Sequence, residues 1–207
     1  MKKWIHNNEL DFDLAESLKK QLNVPLVIAK LLVQRGVSDF EQARRFFRPS
    51  YSDFIDPFLM LGMKKTVGRI VRAIEKNEHI LVYGDYDVDG TCSVTLMYLF
   101  LKELGANVTY YQPDRYKEGY GISMVGVEKA KQSNVSLIIS LDCGVKAIEQ
   151  AKQLASYNID LIICDHHLTG KELPICVAML NPKQDNCDYP FKDLCGCGIG
   201  FKLIHAI

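Results

Sequence analysis

The stretch HILVYGDYDVDG, residues 79–90, decides the fold of this chain. It opens with an apolar run and then presents Asp85, Asp87 and Asp89 in alternation before Gly90. A short, continuous apolar run that ends at glycine is typical of a strand buried on both faces. The stretch therefore predicts a strand of a parallel sheet, with acidic side chains at its carboxyl end. If these residues stay extended, the alternating acids point the same way from one loop.

Further apolar runs follow toward the C-terminus and alternate with segments of helical periodicity. The predicted order is helix 63–77, strand 79–84, helix 91–104, strand 107–112, helix 123–132, strand 136–141, helix 145–157, strand 159–164 and a short apolar run at 177–180. Strands that alternate with helices of this length form parallel sheets covered by helices on both faces. The sequence thus predicts an α/β fold, a doubly wound parallel sheet with flanking helices.

The first 62 residues have a different character. Residues 11–47 have the apolar spacing and turn residues of short helices, whereas residues 48–62 are rich in turn formers and aromatic side chains. We therefore expect a helical N-terminal lead-in and connector over residues 1–62, followed by the α/β domain over residues 63–207.

Composition narrows the class of protein without naming a partner. With 207 residues, of which 48% are hydrophobic, the chain is long enough for one α/β domain with an appendage. The 25 basic and 25 acidic side chains give a formal net charge of zero. Because a local basic surface is enough to bind nucleic acid, this balance leaves a nucleic-acid partner open.

Cysteine usage and the N-terminal sequence bear on location. The seven cysteines are scattered without a disulfide-like spacing, which favours reduced thiols in a cytoplasm. The opening MKKWIHNNELDFD has no apolar run after its lysines, so we expect no signal peptide. No apolar stretch approaches the length of a membrane span. We expect a cytoplasmic protein without a membrane partner.

Metal-ligating side chains follow three of the predicted strands. Asp85, Asp87 and Asp89 follow the first, Asp142 follows SLIISL, and the triplet Asp165–His167 follows IDLIIC. A single aspartate after a strand is usually a helix cap or a turn residue. In open α/β sheets, however, these strand ends meet at one edge, where so many carboxylates would repel one another without a cation. Carboxylates with one or two imidazoles suit Mn²⁺ or Mg²⁺.

Three motifs carry a family resemblance. They resemble the first motifs of the DHH phosphoesterase superfamily. In chain order they are GDYDVDG, SLDCG and CDHH, and each follows a predicted strand. Four further stretches resemble the N-terminal portion of the RecJ exonucleases, which belong to this superfamily. These stretches are LLVQRGVSDFEQARRFFRPS, DPFLM, PDRYKEGYGIS and GCGIGFKL. The resemblance implies a metal-dependent 5′→3′ exonuclease that hydrolyses phosphodiester bonds of single-stranded DNA in repair and recombination, with two Mn²⁺ or Mg²⁺ ions.

The resemblance also implies roles for residues. Asp87 and Asp89 would bind different ions, Asp142 would bridge both, and His166 would be a further ligand. His167 would face the substrate phosphate or support the site, and these five residues form the implied catalytic set.

Two residues of the first motif need separate treatment. Asp85 is a further candidate ligand, and we favour a capping or orienting role for it. Many relatives have histidine where this chain has Tyr83, which implies a changed ligand set and weaker binding of the first ion.

Substrate contacts are expected from the loop PDRYKEGYGIS and from the glycine-rich segment near residue 200. The residues of the loop suit phosphate and strand recognition, with Arg115 as a bidentate guanidinium and Tyr116 and Tyr120 as stacking partners of bases. The resemblance favours a place for Arg115 near the terminal 5′ phosphate. Gly198 would line the site by close backbone approach. The alternative for the loop is a solvated turn with a capping Ser123.

Partners and competing functions complete these expectations. The resemblance implies single-stranded DNA as substrate, and single-strand-binding protein and a helicase as cellular partners. It also implies a further aspartate ligand and a second domain beyond residue 207, so we expect a truncated domain that is weakly active or inactive alone. Three alternatives remain: a phosphodiesterase of short oligonucleotides or cyclic dinucleotides, a type II inorganic pyrophosphatase, and a non-catalytic scaffold that binds DNA or a replication partner.

Overall fold

The computed structural model describes residues 10–207, which divide into two compact units between Ile55 and Asp56. Sequence reasoning put the boundary slightly later, between residues 62 and 63. Residues 1–9 of the predicted lead-in lie outside the described residues. That these two units are separate domains stays a prediction.

The first unit is helical, as the sequence predicts. It contains helices α1 (Phe12–Leu22), α2 (Leu26–Gln34) and α3 (Phe40–Phe47), followed by a 3₁₀ turn at Tyr51–Asp53. Asp11 begins α1 by accepting a hydrogen bond from the amide of Leu14, and Asp39 does the same for Gln42 in α3. Small buried cores hold the helices together. Their buried members are Ala15, Leu18 and Ala29 in one core, and Leu32, Val37 and Ala43 in the other.

The second unit alternates helices and strands. After a 3₁₀ turn at Pro57–Leu59, its elements are α4 (Met63–Glu75), β1 (Ile80–Gly84), α5 (Val88–Glu103), β2 (Val108–Tyr111), α6 (Met124–Gln132), β3 (Leu137–Leu141), α7 (Ile148–Ser156), β4 (Asp160–Cys164), β5 (Ala178–Leu180) and α8 (Gly196–Ala206). None of the helices within residues 10–207 is both long and apolar enough to cross a membrane.

The five strands form one sheet in the order β2-β1-β3-β4-β5, and every pairing is parallel. This confirms the predicted α/β fold with a doubly wound sheet. The strand order reverses between β1 and β3, and ligands of such sheets bind in the crevice at the carboxyl ends of the strands flanking that reversal. The acids that follow β1 and β3 are therefore at the position where this fold binds ligands.

Helices cover both faces of the sheet. On one face, Leu81, Ile138 and Leu161 pack in a core with residues of α6 and α7. On the other face, a Cβ at Gly84 would collide with Val94 of α5, and a Cβ at Gly200 of α8 would lie 3.3 Å from the Leu141 side chain. Strands β1 and β3 are buried on both sides, which explains their continuous apolar sequences, whereas the edge strand β2 is partly exposed.

Two helix starts differ from the sequence prediction. Helix α5 begins at Val88 rather than residue 91, because the Asp87 carboxylate caps it by accepting a hydrogen bond from the Gly90 amide at 2.9 Å. Asp89 therefore lies in the first helical turn, and the prediction of three acids in one extended loop is wrong. Helix α7 begins at Ile148 rather than residue 145. The chain first makes a loop in which Asp142 and Gly144 have positive φ angles of 59° and 120°.

Candidate metal and substrate site

Asp142 lies at the centre of the candidate site, directly after β3. Its side chain is buried, and its backbone has the left-handed conformation that aspartate and asparagine tolerate better than most residues. Its amide donates to the Cys164 carbonyl at 2.9 Å, and its own carbonyl accepts from the Tyr120 hydroxyl at 3.1 Å. The neighbouring strand and the loop after β2 thus fix the position of this carboxylate.

Two groups of potential ligands share Asp142. One contains Asp85, Asp87 and Asp142, and the other contains Asp142, His166 and His167; within each group the ligand atoms lie within 4.8 Å of one another. Asp85 and Asp87 come from the end of β1, and the histidines follow β4. The Asp142 carboxylate could serve a cation held by either group, and its role as a bridging ligand stays a prediction.

The electrostatics of the site fit a cation. Burial, with Asp89 and Asp87 as further causes, raises the pKa of Asp142 from 3.8 to about 8, and burial is also the main cause that raises the pKa of Asp85. The Oδ1 atoms of Asp85 and Asp142 are buried without a hydrogen-bond partner among the described residues. The only ion-pair distance from Asp142 Oδ1 in that part of the chain is 3.1 Å to His166 Nε2. Buried oxygen donors without hydrogen bonds beside an imidazole suit Mn²⁺ or Mg²⁺.

Asp89 has a structural connection that the sequence did not reveal. Its two carboxylate oxygens accept hydrogen bonds from the amides of Gly196 and Cys197, each at 2.7 Å, in the first turn of α8. Asp89 Oδ2 lies 3.7 Å from His166 Nε2, but Asp89 belongs to neither of the two ligand groups. Asp89 therefore joins the N-terminus of α8 to the site, and its predicted role as a metal ligand stays a prediction.

Gly196 is the glycine of the CGCGIG segment that borders Asp142. A Cβ there would lie 2.5 Å from Asp142 Oδ1. Gly198, which the sequence favoured, donates its amide to the Cys195 sulfur at 3.4 Å within α8, and a Cβ there would meet Leu194. The sequence identified the segment, but the choice of glycine depends on a tertiary contact.

Asp165 was left out of the predicted site residues, although it is the first member of the third strand-end motif. Its buried carboxylate accepts hydrogen bonds from the amides of Val145, His166 and His167 at 3.0, 2.8 and 3.1 Å. The same carboxylate lies 2.7 Å from His167 Nδ1. A carboxylate partner of this kind fixes the orientation and tautomer of an imidazole. Its position immediately before two histidines was the available sequence signal.

Tyr83 does not lie among the acids. Its side chain is buried, and its hydroxyl donates to the Gly121 carbonyl at 3.1 Å and accepts from the Ser123 amide at 3.0 Å. Tyr83 thus contacts the loop after β2 and the start of α6.

The loop after β2, residues 113–121, brings one of its predicted residues to the site. The Tyr120 hydroxyl lies 3.2 Å from His167 Nδ1 as well as against the Asp142 carbonyl. Arg115 is exposed, with its guanidinium carbon 5.2 Å from the centre of the Tyr86 ring, and Tyr116 is 95% exposed. The predicted phosphate and base contacts of Arg115 and Tyr116 stay predictions.

A cavity of about 190 Å³ adjoins His167. It lies between Tyr120 and the loop after β3, with Lys146 and Gln150 among its lining residues. The side of the imidazole toward this cavity has space for part of a ligand.

Comparison with protein families places the chain. The family model described as DHH family, N-terminal domain, matches residues 79–207, a range that includes all three strand-end motifs. The chain belongs to the DHH family.

Individual relatives are single-stranded-DNA-specific exonucleases named RecJ. The chain is 46% identical to that of Bacillus subtilis strain 168 over 197 residues, which are 95% of the chain and 25% of the relative. It is 31% identical to that of Escherichia coli K12 over 208 residues, 100% of the chain and 35% of the relative. The chain thus spans about a quarter to a third of these curated relatives.

Solved structures give the same picture of the fold. A crystal structure of exonuclease RecJ bound to manganese matches 71% of this chain and 37% of its own, with a TM-score of 0.66 and 28% identity. The structure of RecJ with Mn²⁺ from Thermus thermophilus matches 94% of this chain and 26% of its own, with a TM-score of 0.75 and 22% identity.

Proposed function

We propose that this protein is a metal-dependent 5′→3′ exonuclease that hydrolyses phosphodiester bonds of single-stranded DNA in repair and recombination. The observation that carries the proposal is the pair of ligand groups that share the buried Asp142 carboxylate. The 46% identity to a RecJ exonuclease supports single-stranded DNA as the substrate. The chain spans only part of the length of these relatives. The activity of a whole RecJ exonuclease is therefore proposed for this protein.

The residues of the site then divide into ligands and positioning residues. We assign Asp87 and Asp89 to different ions, Asp142 to both, and His166 and Asp85 to the remaining ligand positions. When bound, two Mn²⁺ or Mg²⁺ ions lower the pKa of a water and offset charge on the transferring phosphoryl group.

The second histidine has a different role in this proposal. Asp165 holds His167 through Nδ1, and we assign Nε2, which lies 3.4 Å from the Tyr120 hydroxyl, to a phosphate oxygen of the substrate. Tyr120 lies beside this imidazole and fixes the Asp142 backbone, so it joins the two halves of the site.

Substrate binding falls to the exposed part of loop 113–121. Arg115 presents a guanidinium that can bind a 5′ phosphate in bidentate fashion, and Tyr116 offers an exposed ring on which a base can stack.

Wider roles follow from the resemblance to RecJ exonucleases. We expect single-strand-binding protein and a helicase as partners, and the seven free thiols favour action in the cytoplasm. We also expect weak activity from the 207 residues alone. The relatives extend well beyond the matched part, and the resemblance implies a further aspartate ligand and a second DNA-binding domain there.

Digestion of a 5′-phosphorylated single-stranded oligonucleotide with a label at its 3′ end tests the proposal. We expect Mn²⁺-dependent shortening from the 5′ end by a chimera in which the remaining part of Bacillus subtilis RecJ follows residue 207, and slower shortening by the chain itself. Duplex DNA, a cyclic dinucleotide and pyrophosphate serve as competing substrates. Preferred hydrolysis of one of these competitors, or digestion that continues in EDTA, would reject the proposal.

A further inference from the structure

Tyr83 connects the end of β1 to the segment that closes the loop after β2. Its hydroxyl contacts Gly121 and Ser123 from a fully buried position. Ser123 is also the N-cap of α6, because its hydroxyl accepts a hydrogen bond from the Gly126 amide at 2.9 Å. The Tyr83 hydroxyl thus fixes the point where the loop ends and α6 begins.

The space around the Tyr83 ring is closely fitted. A Cβ at Gly126 would lie 2.6 Å from Tyr83 Cε2, so the residue facing the ring has no side chain. The ring centre of Tyr111 lies 5.4 Å from that of Tyr83, on the strand that leads into the loop. The ring of Tyr111, just before the loop, therefore packs against the ring of Tyr83, whose hydroxyl contacts the end of the loop.

Glu118 ties the loop to this same cluster. Its carboxylate accepts hydrogen bonds from the Tyr111 hydroxyl at 2.8 Å, from the Ser123 hydroxyl at 2.5 Å and from the Asp114 amide at 2.9 Å. Lys129 of α6 donates to the Tyr111 hydroxyl at 3.1 Å. We call Tyr83, Tyr111, Glu118 and Ser123 the loop brace.

The tip of the loop projects from this brace with a defined backbone. Asp114 Oδ1 accepts hydrogen bonds from the amides of Tyr116 and Lys117 at 2.9 and 3.1 Å, which forms a compact turn. The side chains of Arg115 and Tyr116 remain exposed. A loop ordered before it meets its ligand loses less conformational entropy on binding than a mobile loop.

We propose that Tyr83 is a positioning residue for substrate: through the loop brace, its hydroxyl holds loop 113–121 so that Arg115 is presented to the 5′-phosphorylated end of single-stranded DNA. This rests on the proposed function, since it takes the exposed loop as the part that meets the DNA. At the end of β1, this chain thus places a hydroxyl that serves the substrate loop.

The test compares Tyr83→Phe with Tyr157→Phe in the 207-residue chain. Tyr83→Phe keeps the ring and removes only the hydroxyl. Tyr157→Phe removes a hydroxyl that donates to Glu128 at 2.5 Å, outside the brace. Glu118→Gln disturbs the brace from its other side and is the second variant. Three quantities are measured. Amide hydrogen exchange over residues 113–123 and Mn²⁺ affinity by calorimetry are measured in the chain itself. Affinity for oligonucleotides with a 5′ phosphate or a 5′ hydroxyl is measured by fluorescence anisotropy, without added metal, in the same variants of the chimera with Bacillus subtilis RecJ.

For Tyr83→Phe and Glu118→Gln we expect faster exchange in the loop and a fall of roughly 3- to 10-fold in the preference for the 5′ phosphate, on the scale of one lost hydrogen bond. Mn²⁺ affinity should stay unchanged, and Tyr157→Phe should behave as the wild type. Unchanged loop exchange, an unchanged phosphate preference, or a fall in Mn²⁺ affinity in Tyr83→Phe would each overturn the proposal.

Arg115→Ala separates this proposal from the proposed function. If Arg115→Ala lowers the phosphate preference and Tyr83→Phe does not, the positioning role is wrong while the substrate assignment stands. If the wild type shows no preference and Arg115→Ala changes nothing, the substrate assignment fails and the positioning role fails with it.

Discussion

The two loops that border the candidate site differ in what they bury. The loop after β3 buries its carboxylate, as Asp142 is 2% exposed, whereas the loop after β2 holds Tyr116 at 95% exposure. Both have backbones fixed by hydrogen bonds, through Cys164 and Tyr120 in the first case and through Asp114 and Glu118 in the second. A buried carboxylate among other acids is stable as an anion only with a cation, while an exposed loop has no such requirement. The first arrangement suits metal binding and the second suits a large, flexible substrate.

Asp142→Asn should have the largest effect, because it removes the carboxylate that both ligand groups share. We expect Mn²⁺ affinity to fall by more than about 100-fold, beyond the effect usual for residues that only support a ligand. Asparagine tolerates the left-handed backbone at this position, so the loop should keep its conformation. Calorimetric titration with Mn²⁺ checks the result, with Asp185→Asn, an exposed position, as the control.

The thermal stability of Asp142→Asn without metal gives a second test of the role of this carboxylate. The folded pKa of about 8 lies above the ordinary value of 3.8, so ionisation of Asp142 opposes folding increasingly as the pH rises between those two values. In metal-free buffer at neutral pH, the variant should therefore unfold at a temperature no lower than the wild type. A large drop in its Tm would mean that the Asp142 carboxylate stabilises the metal-free fold, which would contradict this expectation.

Gly196→Ala should have the next largest effect, because the new Cβ would lie 2.5 Å from Asp142 Oδ1. We expect a loss of about 1–3 kcal/mol in the free energy of unfolding, as is typical of overpacking, together with weaker Mn²⁺ binding. Gly68→Ala is the matched control, since a Cβ at this position in α4 meets nothing within 4 Å. Helix propensity alone should make the control more stable by roughly 0.5–1 kcal/mol. Equal stabilities of the two variants in urea denaturation would remove the argument for close approach.

Asp165→Asn tests whether His167 depends on its buried partner. We expect roughly a 10-fold loss of nuclease activity in the chimera with Bacillus subtilis RecJ, because the imidazole loses its charged partner at Nδ1. The ¹⁵N chemical shifts of His167, which report the tautomer, should change in the same variant of the chain. Unaltered shifts together with full activity would assign Asp165 to loop structure alone.

Arg115→Ala should have the smallest effect and should act only on substrate. We expect KM for 5′-phosphorylated single-stranded DNA to rise by roughly 10-fold in the same chimera, because one charge-assisted phosphate contact is lost from an exposed position. Mn²⁺ affinity should not change. Lys117→Ala, which removes an exposed charge from the same loop, is the control. If the two variants raise KM equally, the loop contributes only general positive charge.

Sequence reasoning located the strands well, because β1, β3 and β4 are short apolar runs buried on both faces, and that pattern is local. The same logic identified the sheet edge at which Asp85, Asp87 and Asp142 meet. It failed at the start of α5, where Asp87 serves as the N-cap, because an aspartate that follows a strand is equally compatible with a loop residue and with a helix cap.

Three of the missed features depend on contacts between distant parts of the chain. Gly196 borders Asp142, Asp89 meets the amides of α8, and the Tyr83 hydroxyl meets Ser123. Each pair is separated by tens of residues, so no spacing or periodicity in the sequence reports it. Asp165 is different, because its motif position was visible and only its choice as a site residue was missing.

The central claim is that two cations share Asp142, and anomalous scattering tests it directly. Crystals of the chain soaked in Mn²⁺ and measured at the manganese absorption edge should give two anomalous peaks within metal–oxygen bonding distance, about 2.0–2.6 Å, of the Asp142 carboxylate. We expect one peak toward Asp85 and Asp87 and the other toward His166. Manganese peaks confined to other positions, with none at bonding distance from Asp142, would contradict the account.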